Sequence, residues 1–314
     1  MRPVPSVFST AGLPAARRVE LWESHNATAL IGLAVHARTP LAATERNLQL
    51  ATVHLARVRG TAHVVERSSA VIRRAPAEAV VVYVPVRGGS WFRHAGGTES
   101  LAPGTVLACD ADLPFARGFA RGLEELVVRV PRQAVAAALP PLAAPRLASL
   151  GGDPYARALA RMASRALAAG RATGRPAVPA DEGVLLDLVA VLIAGRRAAQ
   201  ALAHRAAAKS YIEDHLTSPG LGAEQVAAAV GISTRQLSRV FAADGTSIPR
   251  HVLSRRLELA YSLLAGDDAV AGGAVAGGSV ADVAARCGFT SATYFSHAFA
   301  EHFGRRASEV RSDG

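Results

Sequence analysis

Two short stretches in the last third of this 314-residue chain carry side chains suited to reading the edges of a DNA duplex. In the first, residues 223–241, Leu237, Val240 and Phe241 recur at i, i+3 and i+4 and so share the inward face of a helix. Arg235, Ser238 and Arg239 fall on the opposite face, and Thr234 opens the same helix. An arginine so placed can bond both acceptors of a guanine edge, while serine and threonine hydroxyls bond bases or phosphates. In the second, residues 279–299, Phe295 and Phe299 turn inward and leave Thr293, Ser296 and His297 outside. These seven residues are the candidate DNA contacts. The bland alternative is a solvated helix face for the arginines and an ordinary exposed histidine for His297.

Both stretches share a plan that would hold such helices. A helix-turn-helix needs a small residue where two helices cross, four positions before a tight turn that favours a positive φ. Ala227 and Gly231 supply these in the first stretch, Ala284 and Gly288 in the second. Ser233 is a competent N-cap for the first outward-reading helix. The second turn is one residue longer, because Phe295 lies seven past Gly288 whereas Leu237 lies six past Gly231. One such match also describes any short packing of two helices. Two matches, 57 residues apart, point to a tandem pair.

Upstream, the first 130 residues are β-rich. Asn47–Val58, Ala79–Val86 and Leu123–Val130 read as strands, with further short segments broken by Gly96-Gly97 and Pro103-Gly104. Short strands at this spacing imply a sandwich or small barrel. Helices are predicted from Arg132 to Leu139, from Asp153-Pro154 to about Ala169, and from Asp181-Glu182 onward, with Gly170–Pro179 as a loop. The last helix has a wide apolar face, Val184, Leu185, Leu188, Val189, Leu192 and Ile193. It packs on the barrel or forms a homodimer seam, and in a seam Asp187 would need a partner such as Arg196 or Arg197.

The net charge of +10 is a poor guide to the partner. Residues 209–314 hold 10 Lys+Arg against 11 Asp+Glu, so the basic excess lies elsewhere. One Lys against 34 Arg, with abundant Ala, reads as GC-rich coding rather than a nucleic-acid signal. With few cations to spend on phosphates, one copy grips DNA weakly, and a homodimer would make the second binding event intramolecular. No apolar run spans a bilayer, and Met1-Arg-Pro-Val-Pro-Ser lacks a signal-peptide core, which makes the cytoplasm the expected compartment and a membrane an unexpected partner. Cys109 and Cys287 are too far apart for a spaced metal motif.

Gly288-Phe289-Thr-Ser-Ala-Thr-Tyr294-Phe295-Ser296-His-Ala298-Phe299-Ala-Glu-His-Phe303-Gly304, followed by Ser308-Glu309-Val-Arg311, resembles the C-terminal signature of the AraC/XylS transcription regulators. Gly245-Thr-Ser247-Ile248 and Arg255-Arg256-Leu257-Glu258-Leu-Ala260 are similar to the stretch that ends the first unit and opens the connecting helix. The N-terminal part more weakly resembles the cupin-like sensing domain of one branch, through Phe8-Ser-Thr, Leu21-Trp22, Ala102-Pro103-Gly104 and Pro131-Arg132. Three departures stand out. His297, Ala300 and Glu301 occupy positions usually basic, Ala307 replaces a common Pro, and residues 266–278 form an Ala/Gly-rich insert that bears on the spacing of the two recognition helices.

The resemblance implies an α+β chain of two domains. An N-terminal cupin-like β-barrel or sandwich with flanking helices (1–140) leads through a helical dimerisation or linker region (141–208) to an all-α tandem helix-turn-helix domain (209–314). It implies a DNA-binding transcription regulator rather than an enzyme, with promoter DNA, a small-molecule effector, RNA polymerase and a second copy as partners. Tyr83, Trp91, Arg93 and His94 are the candidate effector contacts; an arginine beside aromatic rings suits an organic acid or a phenol. The alternatives are a constitutive regulator whose barrel only dimerises, and a metal-dependent cupin enzyme. His54, His63 and His94 form no His-x-His pair, so no metal and no cofactor is expected.

Overall fold

The computed structural model describes residues 5–136, 142–168, 181–195, 200–265 and 279–312. The Gly170–Pro179 loop, Arg196, Arg197 and the insert at 266–278 lie outside the described residues. The chain divides into two units, Met1–Leu167 with Leu185–Ala203, and Ala168–Val184 with His204–Gly314.

The first unit opens with strand β1 (Ser6–Ser9), a 3-10 turn at Ala15–Arg17 and helix α1 (Arg18–Ala29). Strands β2 (Ala34–His36), β3 (Ala43–Gln49), β4 (His54–Gly60) and β5 (His63–Arg67) follow, then α2 (Ser69–Arg74). Next come β6 (Ala79–Arg87), β7 (Ser90–His94), β8 (Gly97–Leu101), β9 (Thr105–Asp110), β10 (Phe115–Phe119) and β11 (Leu123–Pro131). Helix α3 (Arg132–Ala136), β12 (Arg146–Ser149), α4 (Pro154–Ala168) and α5 (Glu182–Ala194) complete the series before the second unit.

Two antiparallel sheets result, of order β1-β3-β4-β11-β6-β9-β12 and β2-β5-β10-β7-β8. Side chains alternate between the two faces of each strand, and the central strands β6, β10 and β11 are buried on both. Val81 and Tyr83 on β6, Val127 on β11 and Leu107 on β9 meet Phe92 on β7, Phe115 and Phe119 on β10 and Val65 on β5 in one core. Arg67 is buried in this unit and satisfied there. It donates to the carbonyls of Ala111, Gly32 and Ala75 and to the Asp112 carboxylate.

The predicted strand Asn47–Val58 is instead a hairpin: β3 and β4 pair across a turn in which Leu50 N–H donates to Val53 O. Its apolar residues continue through the turn, which hides the reversal from a pattern reading. The wide apolar face of α5 is also settled. Val184, Leu185, Leu188, Val189 and Ile193 are all buried within the single chain, as are Ala190 and Val191 on other sides of the helix. A helix apolar nearly all round belongs to a core, so this face is not an open homodimer seam.

The second unit is helical: α6 (Gln200–His215), α7 (Ala223–Val230), α8 (Thr234–Ala242), α9 (Ile248–Leu264), α10 (Val280–Arg286), α11 (Ala292–Phe303) and α12 (Ala307–Ser312). Leu237 and Phe241 from α8, Phe295 and Phe299 from α11, and Leu257, Leu259 and Ala260 from α9 share its core.

Candidate nucleic-acid interface and ligand cavity

Gly231 ends α7 in the left-handed region at φ 74°, and the next N–H, from Ile232, donates to Ala227 O over 3.1 Å. In the second unit Gly288 has φ 84° and Phe289 N–H donates to Ala284 O over 3.0 Å. The alanine four residues before glycine therefore provides the carbonyl that closes the turn, besides being small. Ser233 caps α8 by accepting from Gln236 N, and Ser291 caps α11 by accepting from Tyr294 N. The cap falls two residues after Gly231 and three after Gly288, as the longer second turn requires.

The glycines differ in what surrounds them. A Cβ at Gly231 would meet nothing within 4 Å, whereas at Gly288 it would lie 2.9 Å from Thr217 O and 3.1 Å from Arg256 Cζ. Arg256 is itself fixed there, donating to the carbonyls of Leu216 and Ser218. Gly231→Ala is expected to cost about 1–2 kcal/mol for the left-handed backbone alone. Gly288→Ala should cost about 1–3 kcal/mol more, because a backbone carbonyl must also move. Denaturant midpoints of the two variants check this, and equal losses would show that the close approach at Gly288 carries no energy.

On α8, Thr234, Arg235, Ser238 and Arg239 are exposed, and among the described residues neither arginine forms an ion pair. On α11, Thr293, Ser296 and His297 are exposed over the buried Phe295 and Phe299. Both serines spend their hydroxyl hydrogen within their own helix, Ser238 on Thr234 O and Ser296 on Ala292 O, and so offer DNA only acceptor lone pairs. Gln236 and Tyr294 are exposed beside them and present a side-chain amide and a phenolic hydroxyl on the same surfaces. Lys209, the one lysine of the chain, is not free for phosphate: it and Arg205 hold Asp244, just after α8. Burial pushes the Asp244 carboxyl up, but these two cations outweigh it and keep it below the ordinary range.

In the first unit a cavity of about 40 Å³ lies between the sheets beside α1. Trp22 and Asn26 of α1, Tyr83, Arg117, Phe119 and Glu125 line it. Of the predicted effector contacts, only Tyr83 does. Trp91 pairs with Gly118 and packs on it so closely that a Cβ there would lie 2.3 Å from the indole, which puts Trp91 on the outer face of its sheet. Arg93 shares that face, its guanidinium 5.4 Å from the Trp91 ring. His94 faces inward at the strand's end, 3.9 Å from Glu99, and is not part of the cavity wall. Period-two alternation from Phe115 through Arg117 to Phe119 could have flagged Arg117 as the inward cation.

The three histidines weighed as metal ligands stay apart. His54 bonds Asn47 and Gln49, and His63 bonds Thr61 O. Among the described residues the possible ligand group is Asp181, Glu213 and His251. There both Glu213 oxygens already accept from the Arg255 guanidinium, so a cation already fills that role.

A family model described as an AraC-binding-like domain matches residues 27–218, more than half of the chain, and one described as a helix-turn-helix domain matches residues 226–313. The chain belongs to the AraC family of transcription regulators. It is 27% identical over 281 residues to the transcriptional activator NphR of Rhodococcus sp, a match covering 83% of this chain and 78% of that one. It is 31% identical over 106 residues to the transcriptional activator RhrA of Rhizobium meliloti (strain 1021), covering 34% and 32%. The crystal structure of the AraC-like transcriptional activator CuxR aligns over 82% of this chain and 96% of that chain, at 20% identity and a TM-score of 0.48. No helix among the described residues is long and apolar enough to cross a membrane.

Proposed function

We propose that this AraC-family chain is a cytoplasmic, non-enzymatic transcription activator that binds promoter DNA through α8 and α11 and answers to a small effector in the cavity beside α1. The observation that carries the DNA half is the pair of exposed arginines, Arg235 and Arg239, on a helix fixed by a glycine-closed turn. The cavity carries the effector half, with residues 1–140 as the sensing domain, 141–208 as linker and 209–314 as the DNA-binding domain. Activation follows the transcriptional activators NphR and RhrA, to which the chain is similar, and makes RNA polymerase the protein partner. A homodimer is retained on avidity alone: a segment with 10 basic against 11 acidic residues gains most from a second copy.

Footprinting of the full chain on the DNA upstream of its own gene tests the reading. Protection of a defined site, at concentrations where random duplex stays unprotected, is expected. Equal protection of both would overturn it.

A further inference from the structure

We infer that the cavity beside α1 takes a small organic acid, whose carboxylate answers the unmatched guanidinium of Arg129 in the cavity wall. The inference deepens the reading of that cavity as the effector site and rests on it. Among the described residues three ionised side chains line the cavity, Arg117, Glu125 and Arg129. Two of them cancel. Arg117 is 2% exposed, and its two terminal nitrogens donate to the two oxygens of Glu125 at 3.0 and 2.7 Å. The half-buried Arg129 has no such partner: it pairs with no carboxylate among the described residues and donates from one terminal nitrogen to Ala77 O at 3.2 Å. It lies on β11 in register with His54 of β4 and Val81 of β6. Burial lowers the pKa of His54, so that neighbour is a neutral ring bonded to Asn47 and Gln49 and supplies no counter-charge. Glu45, the other buried acid on this inner face, is held by His25 at 3.2 Å and forms no ion pair with Arg129. The ions of the wall therefore sum to one positive charge, and it sits at Arg129.

Hydrogen bonding points the same way. The Nε atoms of Arg117 and of Arg129 are both buried with no partner among the described residues. Two dry N–H donors call for acceptors, and an ionised carboxylate is acceptor-only, with two oxygens to offer. Its bonds to a guanidinium are charge-assisted and gain strength where water is excluded. A neutral amide or alcohol satisfies a donor but leaves the charge of Arg129 uncompensated, and an ammonium adds a second positive charge. The remaining titratable groups of the wall do not change this balance, since burial lowers the pKa of His63 and pushes the Tyr83 phenol up, leaving both neutral. The volume of about 40 Å³ suits a head group, with a short apolar body lying along Trp22, Phe119 and Val127. Of the two classes the sequence left open, an organic acid and a phenol, the unmatched guanidinium favours the acid.

Calorimetry of the full chain with matched probes provides the test: butyrate, butyramide and butylamine, then benzoate, benzamide and benzylamine, with phenol beside the second set. At least one carboxylate is expected to bind, with its amide and ammonium counterparts at least tenfold weaker. In Arg129→Gln, which keeps a donor for Ala77 O but removes the charge, that carboxylate should lose at least tenfold and its lead over the amide should vanish. Arg129→Lys, which keeps the charge, should retain the lead. If either variant fails to fold, the wild-type ranking still decides. An amide, phenol or ammonium that binds as tightly as the carboxylate would overturn the inference. So would a carboxylate unaffected by Arg129→Gln, or binding of none of the probes. Footprinting with and without the tightest probe separates this from the effector reading. An uncharged probe that binds best and shifts the footprint sinks the organic acid and leaves the effector site standing. A carboxylate that binds through Arg129 but leaves the footprint unchanged upholds the acid and removes the cavity from the effector reading.

Discussion

Replacing Arg255 with Met is expected to destabilise the DNA-binding unit by about 3–5 kcal/mol, the usual cost of stripping one partner from a buried ion pair. Arg255 on α9 is 5% exposed and donates to both oxygens of Glu213 on α6, at 2.6 and 3.1 Å, and also to Glu258. Without the guanidinium, Glu213 is a buried carboxylate with Asp181 and Glu258 nearby. The double variant Arg255→Met/Glu213→Leu should recover most of the loss, since matched apolar side chains replace a buried pair at little net cost. The pH dependence separates this account from a simple packing defect. Burial pushes the Glu213 carboxyl above its ordinary value of 4.5, and in Arg255→Met nothing on that guanidinium opposes it. An acid with a raised folded pKa binds protons more tightly when folded, so stability falls as pH rises through that window. The deficit of Arg255→Met should therefore shrink between pH 7 and about 5. Denaturant unfolding at both pH values checks it, and a deficit that is independent of pH would point to lost packing instead.

The DNA-binding unit was legible because its signals are local. The Ala-x-x-x-Gly spacing closes a turn within one stretch of backbone, the cap serines sit where the next helix begins, and the inward residues follow a 3.6-residue period. The sensing unit was legible only in its strands. Which side of a strand faces the core depends on partners distant in sequence, and the pairing of Arg117 with Phe92 and Val65 fixes it. Trp91 and Arg93, one residue off that register, fall on the outer face despite belonging to an attractive cluster. Helix α1 escaped notice for a related reason: only Trp22 and Asn26 are buried, too few for an apolar stripe. The Arg255–Glu213 pair spans 42 residues and leaves no local trace either.

Arg235→Ala and Arg239→Ala should each weaken binding to the specific site by about 1–3 kcal/mol, roughly five- to 150-fold, if the side chain grips a base pair. Both guanidiniums are exposed on α8 and unspent on carboxylates among the described residues, and Leu237 and Phe241 anchor the helix from behind. Four other cations of the unit are already engaged: Lys209 and Arg205 with Asp244, Arg255 with Glu213, and Arg256 with two carbonyls. His297→Ala on α11 should cost less than about threefold, since a ring nitrogen provides one contact where a guanidinium offers a two-pronged fork. Ser238→Ala and Ser296→Ala should be nearly silent, because each hydroxyl hydrogen is already spent within its helix. Salt titration distinguishes the two ways an arginine can act. Loss of a base contact relaxes discrimination at one position and leaves the salt slope alone, whereas loss of a phosphate contact lowers affinity for every sequence and reduces the slope by about one. Measuring each variant on specific and random duplex at several salt concentrations therefore assigns the contact as well as its strength. If His297→Ala proves the most damaging of the set, recognition is led by α11 and the order of the two units is reversed.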